Sequence, residues 1–316
     1  MVHPCIDATE DNLFGSFEPE AFYARYGVTY IEEMVQNARG LRQCTRSWIP
    51  VDQNPKGVVM VCHGYGADSG WLVQLTSIGF ASQGFAVYAI DHQGHGKSEG
   101  LKCYIPDIKA IIDDCIEFFD AKRQNHKDLP VFLYGESLGG ALALLIHLKQ
   151  PGIWAGIVIN GPMCGISAKF KPPWPAENLL HLIAGFIPTW PIVPTKDIAA
   201  VSFKEPWKRK LCVKNPHRYT GKPRMGTALV CIQTVKEIEA RSSEVTAPLL
   251  IVHGELDVVT DPEGSRRLYE TAASTDKTLR IYPGMWHQLI GEPPENVDKV
   301  FGEIYAWLDT HASQTS

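Results

Sequence analysis

The sequence predicts an α/β fold, in which a mostly parallel central sheet has helices on both faces and carries an inserted helical cap. Three observations lead to this prediction. Apolar strands alternate with helices from about residue 57 to 161 and again from 248 onward, which is the pattern of βαβ units. The strands VVMV, AVYAI, VFLY and GIVI are nearly all apolar, as strands buried on both faces must be. Over residues 162–247 the alternation stops, and proline, tryptophan and lysine become frequent.

The elements follow one another in a clear order. EPEAFYARYGV predicts a short helix, and TYIEEMVQN with LRQCTRSWIPV predicts an antiparallel hairpin. The first alternating block then reads GVVMVC, LVQLTSIGFASQG, FAVYAI, DIKAIIDDCIEFFDAKR, PVFLY, ALALLIHLKQ and AGIVI. The second block reads APLLIV, PEGSRRLYETAA, KTLRIY and ENVDKVFGEIYAWLDTHA. We therefore divide the chain into a first core part at 1–161, a cap at 162–247 and a second core part at 248–316.

Composition limits the function classes. The chain has 316 residues, of which 45% are hydrophobic, and a net charge of -5, so it can bury a large core but has no basic stripe for nucleic acid. Its eight dispersed cysteines form no C-x-x-C pair, which favours free thiols in a reducing cytosol. The acidic start shows no signal sequence, and we expect a cytoplasmic protein. NLLHLIAGFIPTWPIVP is too short and too interrupted by proline to span a membrane.

The run VFLYGESLGG, followed by ALALLIHL, predicts a nucleophile elbow. It places Ser137 on a sharp turn between an apolar strand and an apolar helix, a context typical of a nucleophilic serine. Side chains two residues on either side would collide with the strand and the helix, so glycine is needed at both positions. Gly135 and Gly139 meet this requirement. We therefore interpret Ser137 as a nucleophile rather than an incidental turn serine.

A serine hydroxyl needs a base and an acid that orients this base. In strand-turn-helix enzymes of this kind the acid and the histidine follow the serine in that order, each after a strand. Asp257 follows LLIV, and His287 follows the next strand, so they are our acid and base. Asp261 is the competing acid, but Asp261-Pro262 is typical of a helix N-cap. His253 is expected to be a packing residue, and His147 to belong to the core.

Two further loops flank the predicted site. The oxyanion formed during acyl transfer needs backbone N–H donors, which we assign to Leu138 and, in the loop His63-Gly64-Tyr65-Gly66 after VVMVC, to Tyr65. In DHQGHGKSEG, His92 and His95 stand near acidic residues, but their spacing matches no common ligand pattern and the glycines favour a tight loop. We expect neither a metal nor a cofactor.

With these residues placed, the chain from about Gly15 to Ala306 resembles the plant monoacylglycerol lipase family of α/β-hydrolases, which also contains caffeoylshikimate esterase. The matching motifs are HGYG, DHQGHGKSEG, GESLGG, NPHRYTGKPR, HGELDVVTDP and ASTDKTLRIYPGMWH. The resemblance implies an α/β-hydrolase fold, a triad of Ser137, Asp257 and His287, and a cap over an apolar acyl tunnel. The segment GPMCGISAKFKPPWP is more similar to the lipase-like members.

These observations predict a serine hydrolase that cleaves small carboxylic esters through an acyl-enzyme, with monoacylglycerols or lysophospholipid-like esters as substrates. The alternatives are a hydroxycinnamate esterase acting on caffeoylshikimate, an acyltransferase, and a non-catalytic receptor on the same fold. The stretch NLLHLIAGFIPTW is expected to line the acyl pocket, although peripheral membrane contact through the cap is an alternative use of it. The residues expected to bind substrate are Gly64, Leu179, Leu182, Ile183, Phe186 and Trp190.

Overall fold

The computed structural model describes residues 2–165, 184–194 and 197–314. Its strands are β1 Val28–Gln36, β2 Arg42–Pro50, β3 Gly57–Cys62, β4 Phe85–Ile90, β5 Val131–Glu136, β6 Gly156–Asn160, β7 Leu249–Gly254 and β8 Lys277–Tyr282. They form an eight-stranded sheet in the order β1-β2-β4-β3-β5-β6-β7-β8. β2 pairs antiparallel with β1 and with β4, whereas all other neighbours are parallel. The mostly parallel sheet and its leading hairpin are those that the sequence predicts.

The helices of the two core parts occur where the sequence pattern places them, and the insertion adds short helices that the pattern did not single out. They are α1 Pro19–Arg25, α2 Leu72–Ser82, α3 Ile108–Arg123, α4 Leu138–Lys149, α5 Ile198–Ser202, α6 Pro206–Val213, α7 Met225–Arg241, α8 Pro262–Thr271 and α9 Pro294–Gln314. Local chemistry sets several of the boundaries. The Asp107 carboxylate accepts a hydrogen bond from the backbone N–H of Lys109, which caps the start of α3 by satisfying a free helix donor.

The sheet separates two apolar layers. Residues alternate between the two faces along a strand, so Val59 and Val61 of β3 pack with α2 and α9, while Val58 and Met60 pack with α3, α4 and α8. All four of these side chains are fully buried. Burying a valine or methionine side chain stabilises the fold by about 1.5–3 kcal/mol. The all-apolar central strands are thus explained by cover on both faces.

The parallel strands bring four loops to one edge of the sheet. β5 lies between β3 and β6, and β7 lies between β6 and β8. Because the carboxyl ends of parallel strands point the same way, the segments that follow β3, β5, β7 and β8 converge there, which is where ligands bind in open α/β sheets. These segments contain the HGYG loop, Ser137, Asp257 and His287.

The chain leaves the sheet between β6 and β7. In the part of residues 162–247 that the structure describes, it forms α5, α6 and α7 and no strand. Hydrogen bonds of α6 help to fasten this insertion to the core. The indole N–H of Trp71 donates to the Leu211 carbonyl at 2.9 Å, and the buried Lys208 ammonium donates to the Ile290 carbonyl, also at 2.9 Å. The insertion therefore lies over the edge of the sheet where the four loops meet.

Within the described ranges, no helix combines the length and the apolarity that crossing a membrane requires. The apolar stretch of the insertion is described only from residue 184 to 194. Leu179, Leu182 and Ile183, which the sequence predicts to bind substrate, lie outside the described residues.

Candidate active site

Ser137 has the strained backbone that its sequence context predicts. It stands between the last residue of β5 and the first residue of α4, with φ 55° and ψ -116°. A Cβ on Gly135 would overlap the backbone carbonyl of Gly139, and one on Gly139 would overlap the carbonyl of Cys62. Such strain persists only where the surrounding packing imposes it, and it is concentrated at functional sites. The turn thus holds the serine at the sheet edge between two close backbone approaches.

His287 is paired with Asp257. The ring Nδ1 lies 2.6 Å from Asp257 Oδ2, and both residues are buried. An ionised carboxylate can only accept, so Nδ1–H donates and Nε2 is left with its lone pair. Ser137 and His287 line the same cavity. The structure thus brings together all three residues predicted from the sequence, with the histidine in the tautomer that a general base requires.

The competing carboxylate has a different position. Asp261 is the N-cap of α8, and its side chain accepts a hydrogen bond from the backbone N–H of Glu263 at 3.1 Å. Asp257 Oδ1 accepts from the N–H groups of Val259 and Thr260 at 2.7 and 3.1 Å. Asp257 is therefore the carboxylate that contacts the histidine, and Asp261 has the capping position expected from Asp-Pro.

The electrostatics keep Asp257 charged. Burial alone would raise its pKa, but the adjacent His287 and a hydrogen bond from His253 lower the pKa of Asp257 well below its usual range.

The expectation that His253 only packs is wrong, because its Nε2 lies 3.0 Å from Asp257 Oδ2. Thr260 was also missed, and its hydroxyl donates to the same oxygen at 2.8 Å. The polar residues of HGELDVVT are the sequence signal that could have indicated these contacts with Asp257.

The predicted oxyanion donors belong to residues that line the cavity. Tyr65 and Leu138 both line it, and neither backbone N–H finds an acceptor among the described residues. Leu138 is the first residue of α4, where N–H groups have no partner within the helix. A Cβ on Gly64 would stand 3.4 Å from Ser137 Cβ. The HGYG loop therefore closely approaches the serine, as its glycines suggest.

Cys103 supports the HGYG loop from behind. Its carbonyl accepts a hydrogen bond from the Tyr65 hydroxyl at 3.3 Å. Cys103 has φ 49°, and Ser137 is the other residue except glycine with positive φ in the described chain. Burial raises the pKa of the Cys103 thiol to about 12, so this sulfur is a neutral packing group.

The DHQGHG loop forms a buried histidine cluster. The rings of His63, His92 and His95 lie 3.9–6.3 Å apart. His63 Nε2 accepts from the His92 backbone N–H at 3.0 Å, so Nδ1 donates to the Gly64 carbonyl at 2.8 Å. Burial lowers the pKa of His63 and of His95 to about 4. The neutral rings brace the loop, and among the described residues no three His, Cys, Asp or Glu side chains are arranged to hold a metal ion.

A second carboxyl group directly precedes the nucleophile. Glu136 lines the cavity, and one of its oxygens accepts from the Tyr134 hydroxyl at 2.7 Å. The Asn160 side-chain amide donates in turn to that hydroxyl at 3.1 Å. Burial raises the pKa of Glu136, in contrast to the lowered pKa of Asp257. The two carboxyl groups thus have opposite environments, which is typical of active sites.

A cavity of about 1080 Å³ extends from Ser137 between the core and the insertion. Part of its described lining is apolar and comprises Ala67, Trp71, Leu72, Val73, Leu138, Met163, Val193, Pro194, Ile198, Ala199, Phe203, Pro223, Met225, Ala228, Ile232 and Val259. Another part is polar and comprises Asp68, Asn215, Arg218, Tyr219 and Lys222. Enzyme pockets commonly combine apolar walls with a few polar groups that orient a ligand.

The cavity requires one correction to the predicted substrate residues. Gly64 lines it, but Phe186 and Trp190 do not belong to its described lining and are 82% and 56% exposed. The helical spacing that suggested a tunnel wall fixes which side chains share a face, but not which way that face points. α5 and α7 supply cavity residues instead, among them Ile198, Met225 and Ile232.

A serine on a strained strand-to-helix turn, beside a buried histidine-carboxylate pair at the edge of a mostly parallel sheet, defines the α/β-hydrolase class of serine hydrolases. Residues 53–294 match the family model described as serine aminopeptidase, S33, and the chain belongs to this family. It is 37% identical to caffeoylshikimate esterase of Arabidopsis thaliana over 310 residues, which cover 97% of this chain and 93% of that protein. It is 31% identical to monoglyceride lipase of Homo sapiens over 274 residues, covering 86% and 88% of the two chains.

A solved structure agrees on the fold. The complex of a soluble variant of Saccharomyces cerevisiae monoglyceride lipase with a substrate analog superposes with a TM-score of 0.78 at 21% identity, covering 90% of this chain and 96% of that one. The resemblance inferred from the motifs and the α/β-hydrolase fold are thereby confirmed. The protein is a carboxylic ester hydrolase, and the alternative of a non-catalytic receptor is no longer needed.

Proposed function

We propose that the protein hydrolyses its ester in two steps through an acyl-enzyme on Ser137. His287 Nε2 takes the hydroxyl proton as Ser137 attacks the ester carbonyl, and the imidazolium then protonates the departing alcohol. Asp257 stays ionised and stabilises this imidazolium. The N–H groups of Tyr65 and Leu138 stabilise the oxyanion, a contribution of about 10²–10³ in rate for each donor. Water, deprotonated by His287 Nε2, then attacks the acyl carbonyl, and the imidazolium returns the proton to the Ser137 oxygen as the acid is released. The 2.6 Å contact between His287 and Asp257 supports this assignment.

The substrate we propose is a monoacylglycerol or a similar lipid ester. One observation carries this assignment: the cavity of about 1080 Å³ at Ser137 is lined in large part by apolar side chains. Each buried methylene of an acyl chain contributes about 0.8 kcal/mol. The relative from Homo sapiens is named a monoglyceride lipase, and it is 31% identical to this chain. We assign residues 162–247 as the cap that supplies much of this lining.

The polar wall fits the alcohol half of such an ester. Asn215 Nδ2 donates to Asp68 Oδ2 at 2.6 Å, and Arg218 forms an ion pair with Asp197 at 3.0 Å. The other guanidinium N–H groups of Arg218 have no acceptor among the described residues and can donate to a ligand. An apolar chain placed here would desolvate these groups without compensation. Hydroxyl groups, which donate and accept, would replace the lost water. The alcohol is therefore proposed to be small and hydroxylated.

A hydroxycinnamate ester of the caffeoylshikimate type is the second candidate. It is favoured by the 37% identity to the Arabidopsis thaliana protein named caffeoylshikimate esterase. Its alcohol is also hydroxylated, so the polar wall suits both candidates. The two differ in the acid, which is either a flexible aliphatic chain or a compact aromatic one.

Paired substrates test this assignment. Monoacylglycerols of increasing acyl length and caffeoylshikimate are assayed at the same enzyme concentration, with Ser137→Ala as the control for background hydrolysis. We expect kcat/KM to rise with acyl length up to the limit of the cavity. Falling values beyond short acyl groups, combined with preference for caffeoylshikimate, would reject the lipid assignment in favour of the second candidate. A glycerol or methanol acceptor in the same assay measures acyl transfer against hydrolysis.

We also propose that the insertion contacts membranes peripherally and that the protein is cytoplasmic. Phe186, Trp190 and Ile192 are exposed large hydrophobic residues close together in sequence, and such groups insert at membrane interfaces. Eight free thiols suit a reducing compartment. The double variant Phe186→Ser, Trp190→Ser should cosediment less with phosphatidylcholine vesicles, whereas the control Met34→Ser, at an exposed methionine of β1, should behave as wild type. Equal cosedimentation of all three proteins would contradict the contact, and imaging of a fluorescent fusion tests the location.

A further inference from the structure

The carboxylate of Asp257 contacts two histidines instead of one. His253, in β7, is fully buried, and its Nε2 lies 3.0 Å from Asp257 Oδ2. This is the same oxygen that accepts the N–H of His287 at 2.6 Å. His253 is not among the described residues that line the cavity. It touches the same carboxylate oxygen as the base and has no place in the two-step route described above.

Hydrogen bonding determines where the proton of His253 is located. Its Nδ1 lies 2.7 Å from the hydroxyl of Ser265 in α8. The carboxylate can only accept, so Nε2 carries the proton, and the lone pair of Nδ1 accepts from the serine hydroxyl. A neutral imidazole in this tautomer satisfies both contacts. The chain from Ser265 through His253 to Asp257 is therefore directional and fully paired.

We propose that His253 is a positioning residue for the acid of the triad: its Nε2–H holds Asp257 Oδ2 in line with His287 and withdraws part of the negative charge of that oxygen. No proton is transferred along this contact during turnover. His287 takes the proton of Ser137 and returns it to the leaving group, while His253 keeps its own. The inference rests on the assignment of Asp257 and His287 in the proposed function.

The surroundings of the pair contain few other charges. His287 faces Asp257 and the Thr260 hydroxyl from the loop after β7, and it interacts electrostatically with Glu136 at the end of β5. On the far side of His253, Ser265 lies 3.8 Å from the neutral thiol of Cys164. The Thr260 hydroxyl lies 3.3 Å from His253 Nε2 and 3.2 Å from His287 Nδ1, but both histidines are closer to Asp257 Oδ2, at 3.0 and 2.6 Å. A change at His253 therefore reaches His287 mainly through this charged oxygen.

Loss of the donor has two consequences with different readouts. A misaligned carboxylate lowers kcat, by about 10-fold to 100-fold, while KM is unchanged because His253 does not border the substrate cavity. A carboxylate that has lost the His253 donor also carries more charge on Oδ2 and holds the His287 imidazolium more tightly. Because kcat/KM requires neutral His287, its acid limb then moves to higher pH.

Two variants of similar size separate positioning from packing. His253→Leu keeps much of the volume and removes the donor, whereas His253→Gln places an amide N–H near the former Nε2 position. Active-site concentration is fixed by fluorophosphonate titration, and kcat, KM and the pH profile are measured per active site. We expect His253→Leu to have a lower kcat and an acid limb of kcat/KM shifted to higher pH. We expect His253→Gln to have a kcat and an acid limb close to those of wild type.

Ser265→Ala provides the same test with a smaller perturbation if His253→Leu does not fold. It removes the hydrogen bond that fixes the tautomer, so kcat should fall by about 2-fold to 10-fold, with a shift of the acid limb in the same direction. An unmoved acid limb and a wild-type kcat per active site in the folded variants would overturn the proposal. Asp257→Asn distinguishes failure of the triad from failure of this proposal. A fully active Asp257→Asn variant would refute the triad itself. An inactive Asp257→Asn variant together with a His253→Leu variant of wild-type activity would refute only the role of His253.

Discussion

The side-chain amide of Asn215 donates a hydrogen bond of 2.6 Å to the carboxylate of Asp68. Asp68 follows the HGYG loop of the core, and Asn215 begins the segment NPHRYTGKPR of the insertion. Asp68 is also held by the Gly70 N–H at 2.8 Å. The contact links the insertion to the loop that carries a proposed oxyanion donor, at the polar wall of the cavity.

Removal of this link should affect the alcohol half of the substrate. For Asn215→Leu we expect KM for a monoacylglycerol to rise about 5-fold or more, because a hydrogen bond to a charged group is worth about 1.5–3 kcal/mol and the Asp68 carboxylate loses its partner. A p-nitrophenyl ester with the same acyl chain has no such hydroxyls and should be affected less. Equal losses on both substrates would contradict an alcohol-binding role for this wall.

Ser137 should be the residue that becomes acylated. Ser137→Ala should lose activity by about 10⁶-fold, because the nucleophile, base and acid act as a unit. Mass spectrometry after fluorophosphonate treatment should locate the adduct on Ser137. Ser202, another serine that lines the cavity, provides the control, because Ser202→Ala should remain active and labelled. An adduct elsewhere would refute the assignment.

The two aspartates after β7 should have separate effects. Asp257→Asn should reduce kcat by about 10⁴-fold, because His287 loses its tautomer and its charge partner. Asp261→Ala should keep its activity and lose about 1 kcal/mol of unfolding free energy with the helix cap. Turnover assays and urea denaturation measure the two effects. A crippled Asp261→Ala beside an active Asp257→Asn would reverse the assignment.

The elbow glycines should tolerate no side chain. Gly139→Ala would force a Cβ into the backbone carbonyl of Cys62, and we expect it to lose both stability and activity, because neither backbone segment can move. Gly302→Ala, within α9 and with open space around its Cβ position, is the matched control and should gain up to about 1 kcal/mol from helix propensity. Thermal denaturation compares the two, and a neutral Gly139→Ala would show that the turn is not constrained in this way.

The histidine cluster should make the fold acid-sensitive. The pKa of His63 and of His95 is about 4 in the folded protein, against about 6.5 in an unfolded chain. Between these two pKa values the unfolded chain therefore binds more protons than the folded protein. The free energy of unfolding that depends on these histidines is fully present above pH 6.5 and falls as the pH drops toward 4. Each group contributes up to about 2 kcal/mol of loss at pH 5. Urea midpoints at pH 7 and pH 5 should diverge less in His95→Asn than in wild type.

Much of the fold and part of the site could be predicted from the sequence, because these features depend on local chemistry. The strand-helix alternation, the glycine-flanked turn of Ser137 and the Asp-Pro cap at Asp261 depend on neighbours within a few residues. The positions of Asp257 and His287 after successive strands predict that they meet, because parallel strands present their carboxyl ends at one edge of the sheet. The sequence by itself determined the fold class and pointed to Ser137, Asp257 and His287, in that order along the chain.

The tertiary structure alone decided where side chains outside these turns point. His253 reads as a core residue until the donor 2.7 Å from its other nitrogen fixes its tautomer. Phe186 follows a helical apolar spacing and is nevertheless 82% exposed, while the polar Asn215 segment lines the cavity. Periodicity specifies the relative directions of side chains within an element. Which direction faces the cavity depends on how distant segments pack together, and that is set by contacts far apart in sequence.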